Sequence, residues 1–248
     1  MSLLRPQVRV ALRYLRLPIR PPHLRAVHVR LPRPSLLHIA RFASTTPIPR
    51  LCPSCSQPLP TSLPACPSCS SISPLPPKIT HHDLFGLPYE PNPFVVDLST
   101  LKKRFREAQA ACHPDAWASK SSKEQDLAHI LSSRLNEAYQ CLLNPLPRVE
   151  YILEQNGVPL SETEQVEDLA FMAEIMEARE IIDEATPENK AVIDELIQMN
   201  DENIRETIQT ISSLVSEEKW LDVKAAAIRL RYLQGIDRAA KQWMDTHT

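Results

Sequence analysis

Four of the six cysteines in this 248-residue chain stand as Cys52-Pro-Ser-Cys55 and Cys66-Pro-Ser-Cys69, two CxxC pairs ten residues apart. Two residues between thiolates let one tight turn aim both sulfurs at a single ion. Two such turns complete the tetrahedral four-sulfur shell that Zn2+ prefers. Disulfides compete with this reading, although a matrix or cytosolic location keeps thiols reduced. A redox CxxC also competes, but it would come singly beside a βαβ pattern that is absent here. His81 and His82 are further candidate ligands, yet four cysteines already satisfy one ion. The expectation is a structural zinc without an open coordination position. It would supply on the order of 10–16 kcal/mol to a Pro- and Ser-rich module with almost no core of its own.

A second candidate is Cys112-His113-Pro114-Asp115. As a catalytic group it would use Cys112 as nucleophile and the His–Asp pair as base. Neighbouring residues at a helix end do not easily meet as a triad, and Cys112 falls on an apolar helical stripe with Leu101, Phe105 and Ala108. The other reading is an exposed turn used for recognition. Lys102, Arg106 and Gln109 lie within about 20–40° of His113 at 100° per residue, so a basic helix face leads into the turn.

The elements around these residues are helical. Asp97 or Ser99 can cap a helix that stops near Cys112, since Pro114 disfavours helical geometry at His113. Ser121-Ser122-Lys123-Glu124 is a capping box for a second helix burying Leu127, Leu131, Leu135, Ala138 and Leu142. A polar loop between the two makes a helical hairpin. A short helix from Arg148 to Asn156 is expected to stop at Gly157. Ser161-x-x-Glu164, Thr186-Pro187 and Ser216 are expected to open three more. The third-last carries two apolar stripes, Phe171, Ile175, Ala178, Ile182 and Leu169, Met172, Ala173, Met176. The helix after Thr186 has one of Ile193, Ile197, Ile204, Ile208, Ile211 and Val215. The last carries Trp220, Val223, Ala227 and Leu230 beside Leu221, Ala225, Ile228 and Tyr232. No segment alternates with period two for long, so no sheet is expected.

Charge divides the chain. Residues 1–50 hold ten arginines, and the first carboxylate is Asp83. An Arg-rich, acid-free stretch interleaved with Leu and Val reads as a mitochondrial transit peptide recognised by the import machinery, with Arg41-Phe42-Ala43-Ser44-Thr45-Thr46 as processing site; a disordered basic tail is the alternative. Removal of residues 1–43 leaves nineteen basic and thirty acidic residues, a net charge of −11. So acidic a body is a poor nucleic-acid binder. No run of 18 uncharged apolar residues exists, so no membrane insertion is expected.

The basic helix face and the His-Pro-Asp turn, with Asp83-Leu84-Phe85-Gly86-Leu87 ahead of them, resemble the J-domain. The resemblance implies that Lys102, Lys103, Arg106, His113, Pro114 and Asp115 contact a mitochondrial DnaK-type ATPase chaperone and stimulate its hydrolysis. This chain departs from the family in a short, His-bearing opening and a long, proline-rich connection from Leu87 to Leu98. It also lacks a Gly/Phe-rich linker. Three further stretches resemble the iron–sulfur co-chaperone (HscB-type) family: Asn136-Glu137-Ala138-Tyr139, Asn144-Pro145-Leu146-Pro147-Arg148-Val149-Glu150-Tyr151-Ile152-Leu153, and Phe171-Met172-Ala173-Glu174-Ile175-Met176-Glu177-Ala178-Arg179-Glu180. With the four-cysteine knuckle, the likeness covers about residues 52–245.

This second resemblance implies that an iron–sulfur scaffold protein binds at Met172, Ala173, Met176, Glu177, Glu180 and Tyr232, with Ala173 standing where some relatives carry a larger residue. From pattern alone, the second stripes either widen the core or form that partner patch. The expected fold is all-α and non-enzymatic. It comprises a zinc knuckle at 51–78, a J-domain helical hairpin at 80–156 and a three-helix bundle at 160–248. These form an L-shaped two-module body, behind a disordered transit peptide at 1–50, in the mitochondrial matrix.

Overall fold

The computed structural model describes residues 51–59, 61–161, 163–166 and 168–247; the transit-peptide segment lies outside the described residues. Seven α-helices, two short 3₁₀ turns and one two-stranded hairpin make up the regular structure of that region. No helix among the described residues is long and apolar enough to cross a membrane.

The knuckle is built from two similar turns. Each CxxC is followed by a serine with positive φ, Ser56 at 58° and Ser70 at 52°. That left-handed residue lets the chain double back around the sulfurs. The antiparallel strands β1 (Ala65–Cys66) and β2 (Ser71–Ile72) close the second turn, and a single Leu51–Pro58 bridge closes the first. This sheet overturns the expectation of none; two-residue strands are too short to show alternation.

The helix α1 (His81–Phe85) is opened by a Thr80–Asp83 capping box and closed by Gly86 at φ 61°. The helix α2 (Leu98–Cys112) is capped by Asp97 alone, whose carboxylate accepts from Ser99 and Thr100 N–H groups. The hydroxyls of Thr100 and Ser99 also bind that carboxylate and hold its pKa down to about 2. A 3₁₀ turn (Pro114–Trp117) follows, then α3 (Ser122–Leu143), opened by the expected Ser121–Glu124 capping box. Leu101, Ala108 and Cys112 of α2 face Leu131, Leu135, Ala138 and Leu142 of α3 across one core. Leu63, Ala65 and Ile72 of the knuckle belong to that same cluster. The knuckle is therefore packed onto the hairpin.

Next, α4 runs Pro145–Gln155. It begins three residues before the expected Arg148, because Pro145 and Pro147 are tolerated in a first turn, where N–H groups lack partners anyway. Its Val149, Ile152 and Leu153 bury against Ile211, Val215, Val223, Ala227 and Leu230 in a second core that also takes Phe94.

The third core joins α5 (Leu169–Asp183), α6 (Lys190–Ser216) and α7 (Trp220–Thr246). Three local expectations fail here. Ser161-x-x-Glu164 forms only a turn, and the helix starts eight residues later with Asp168 as its cap. The Glu164 carboxylate accepts from the Ser161 N–H but also pairs with Lys224, so it straps the loop to α7 instead of opening a helix. Ser216 caps nothing. It ends α6, donating back to Ser212 O at 3.1 Å and accepting from Asn92 Nδ2 at 2.7 Å, and α7 begins after a turn through Glu218 at φ 54°. Ile228 belongs to the buried face of α7 and not to an outer stripe, being 7% exposed.

Asn200 and Thr207 complete the buried face of α6, where the Asn200 amide donates to Leu233 O at 2.9 Å and the Thr207 hydroxyl to Asn203 O at 2.7 Å. An apolar-only reading of the period misses both.

Candidate functional site

Three groups of residues carry chemistry. In the knuckle, the Sγ atoms of Cys52, Cys55, Cys66 and Cys69 all lie within 4.8 Å of one another. Cys52–Cys69 and Cys55–Cys66 are each separated by 3.6 Å. Four thiolates bonded to one tetrahedral ion at about 2.3 Å sit roughly 3.8 Å apart, so the cluster fits a metal without rearrangement. The Ser71 hydroxyl lies 3.4 Å from Cys52 Sγ and 3.1 Å from Cys69 Sγ, and it pulls the Cys52 thiol down to about 6. At Cys55 the Gln57 N–H pulls downward, but burial and the three neighbouring sulfurs outweigh it and push the thiol up to about 12. Sulfurs that cannot all ionise together resolve that conflict by sharing a cation.

The second group is the loop between α2 and α3. The geometry of His113, φ −57° and ψ 129°, breaks the helix as Pro114 requires. The loop is anchored from beneath by Trp117, which is 6% exposed and donates its indole N–H to Ala111 O at 3.2 Å. Sequence reasoning missed Trp117; its signal was a lone tryptophan two residues beyond the tripeptide. His113 Nδ1 accepts from the Asp115 N–H at 3.3 Å and lies 3.6 Å from Asp115 Oδ2. The two side chains are 51% and 91% exposed, so the pair faces outward.

Cys112 is fully buried, and burial pushes its thiol up to about 11. It does not supply a thiolate to that pair, and the triad reading falls at this position. Lys102, Lys103 and Arg106 are exposed along α2, while Gln109 turns inward to donate to Ser132 Oγ at 3.0 Å.

The third group lies on the bundle. Of the two stripes on α5, Phe171, Ile175, Ala178 and Ile182 are buried. In the other stripe Leu169 is 84% and Met176 67% exposed, Ala173 is exposed and Met172 half-buried. Glu177 is half-buried and Glu180 exposed beside them. Tyr232 of α7 is half-buried and meets Phe171 edge to face at 6.2 Å. Beneath this surface the Arg229 guanidinium stacks 4.0 Å over Phe171 and lies 3.8 Å from Asp168. Arg229 was not legible as a site residue, since an arginine on an amphipathic helix normally faces solvent.

Residues holding the groups in place were also missed. Arg148 is 7% exposed and donates to Leu142 O, Leu143 O and Phe94 O at 2.7, 3.1 and 2.9 Å. Asn92 reaches from the connection ahead of α2 to Ser212 O at 2.9 Å. The proline-rich connection between Leu87 and Leu98 is thus the piece that ties the hairpin to α6.

A family model described as the HSCB C-terminal oligomerisation domain matches residues 167–241. A co-chaperone protein HscB homolog from Bordetella petrii is 35% identical over 163 residues, 65% of this chain and 92% of that one. The human iron-sulfur cluster co-chaperone protein HscB is 30% identical over 177 residues, 71% of this chain and 73% of that protein. The crystal structure of human co-chaperone protein HscB superposes with a TM-score of 0.67 at 27% identity, covering 78% of this chain and 98% of that one. With more than a third of the aligned residues identical to the Bordetella protein over nearly all of that protein's length, and with the human HscB fold shared, the chain belongs to the HscB co-chaperone family.

Proposed function

We propose that this protein is a two-site adaptor in mitochondrial iron–sulfur cluster biogenesis. The bundle captures the cluster scaffold protein on Met172, Ala173, Met176, Glu177, Glu180 and Tyr232. The hairpin presents Lys102, Lys103 and Arg106 with the His113-Pro114-Asp115 turn to a DnaK-type chaperone. Stimulated ATP hydrolysis by that chaperone then drives cluster transfer. The reading rests on family membership together with one observation: two solvent-facing surfaces, one basic and one apolar with an acidic rim, sit on modules joined by a buried core. A basic helix face suits an acidic partner surface. An exposed Met-bearing stripe suits a folded apolar partner.

In the knuckle, Cys52, Cys55, Cys66 and Cys69 hold a structural Zn2+. The ion supplies cross-linking between two turns that have little core of their own. The Arg-rich residues 1–50 address the chain to the matrix.

Single-turnover ATP hydrolysis by the mitochondrial DnaK-type chaperone tests this, with the chain and the scaffold added separately and together. Joint stimulation above either alone is expected. Equal stimulation without scaffold removes the assigned pathway, and no stimulation in either case removes the co-chaperone mechanism.

A further inference from the structure

Leucine is out of place as the opening residue of α5. The first turn of a helix exposes unpaired N–H groups and favours acidic or polar side chains there. Yet Leu169 occupies that position at 84% exposure, the most exposed large apolar residue in the described chain. It adds nothing to the core of the bundle, which α5 reaches through Phe171, Ile175, Ala178 and Ile182.

The position of Leu169 is nonetheless held firmly. Asp168 Oδ1 accepts from the N–H groups of Ala170 and Phe171 at 3.0 and 3.1 Å, which sets where the helix begins. Arg229 of α7 lies 3.8 Å from Asp168 Oδ2 while stacking 4.0 Å over the buried Phe171 ring. The start of α5 is thereby pinned to α7 from two directions. Met172, Ala173 and Met176 follow Leu169 at i+3, i+4 and i+7, all within about 60° of it round the helix and about 11 Å along it.

From this we infer that Leu169 is a binding residue, the leading apolar contact for the folded partner captured on α5, and that Asp168 and Arg229 position it. The inference rests on the adaptor reading above and extends its surface by one helical turn toward the start of α5. The partner surface it fits has an apolar pocket long enough for two to three turns of helix, bordered by Lys or Arg opposite Glu177 and Glu180. Because the helix start is already formed, docking orders only the leucine side chain and not its backbone, which leaves more of the buried apolar area to count toward affinity.

Calorimetric titration of the full chain with the purified, cluster-free scaffold protein tests this, using Leu169→Ala, Leu169→Glu and Met172→Ala/Met176→Ala. Leu169→Ala is expected to weaken binding about tenfold, the scale of burying most of a leucine side chain. Leu169→Glu is expected to weaken it further while leaving the melting temperature unchanged or raised, since a carboxylate suits that helix end. If both Leu169 variants bind within twofold of the unaltered chain while the methionine pair binds weakly, the patch stops short of Leu169, and the inference fails with the adaptor reading intact. Full-strength binding by all three variants removes the adaptor reading as well. A lowered melting temperature for Leu169→Glu makes the residue part of the fold and also overturns the inference.

Discussion

Arg148 is a buried cation whose removal the structure makes costly. Its guanidinium is buried without a carboxylate partner and is held by three carbonyl oxygens, with the Phe94 ring 5.4 Å away. Two of those carbonyls, Leu142 and Leu143, end α3, where no intrahelical donor remains. The third belongs to the connection that Asn92 pins to α6.

Arg148→Met keeps much of the apolar volume and deletes all three donors. Each carbonyl left buried without a donor costs about 1–3 kcal/mol. Relief of the desolvation that holds the guanidinium pKa down offsets part of this. The expected net loss is about 3–5 kcal/mol, or roughly 10 °C in melting temperature for a body of this size. Urea unfolding followed by far-ultraviolet circular dichroism measures it, and hydrogen exchange should rise first over residues 92–96. Arg148→Lys should recover less than half, because one ammonium does not span three splayed carbonyls. A loss below about 1 kcal/mol for Arg148→Met would falsify the reasoning, since water would then serve those carbonyls as well as the guanidinium does.

His113→Gln should remove stimulation of the partner ATPase and leave scaffold binding and melting temperature unchanged, as the side chain is half exposed and makes only local contacts; a lowered melting temperature would make the loop structural. Chelation of the metal, or Cys66→Ser, should lower the stability of the hairpin as well as the knuckle, because Leu63, Ala65 and Ile72 share the core of α2 and α3. Unchanged hydrogen exchange in α3 after chelation would show the knuckle to be an independent appendage. His81 stacks on Tyr151 at 4.3 Å, and burial pushes its pKa down from 6.5 to about 4. As the folded value lies below the unfolded one, the unfolded chain takes the proton first. The contribution is complete above about pH 6.5 and fades as pH falls toward 4, by at most about 3 kcal/mol. Denaturation of His81→Phe beside the unaltered chain should show a shallower loss between pH 6.5 and 4.5, and parallel curves would count against it.

The features legible in the sequence were those that local chemistry sets. Two CxxC turns can bring four sulfurs together because each turn is complete within four residues. Pro114 ends α2, and the Ser121–Glu124 box opens α3, through contacts no more than three residues long. The period of 3.6 marks the inward residues of both helices. The exposed His-Pro-Asp turn follows from those two boundaries.

Tertiary structure alone decided the choices between local options of similar worth. Ser161 and Asp168 are both good caps, and α5 begins at Asp168 because Arg229 meets it and Lys224 takes Glu164. Ser216 had a hydroxyl fit for opening a helix, but Asn92, 124 residues earlier, uses it to close one. Both stripes of α5 were apolar, and only the packing of Phe171, Ile175, Ala178 and Ile182 against α6 and α7 left Leu169 and Met176 in solvent. Likewise α4 follows the hairpin in sequence yet buries its apolar face with α6 and α7, and the knuckle completes the hairpin core. Periodicity measures how apolar a face is, whereas which face is covered depends on residues far along the chain, and those contacts leave no local signature.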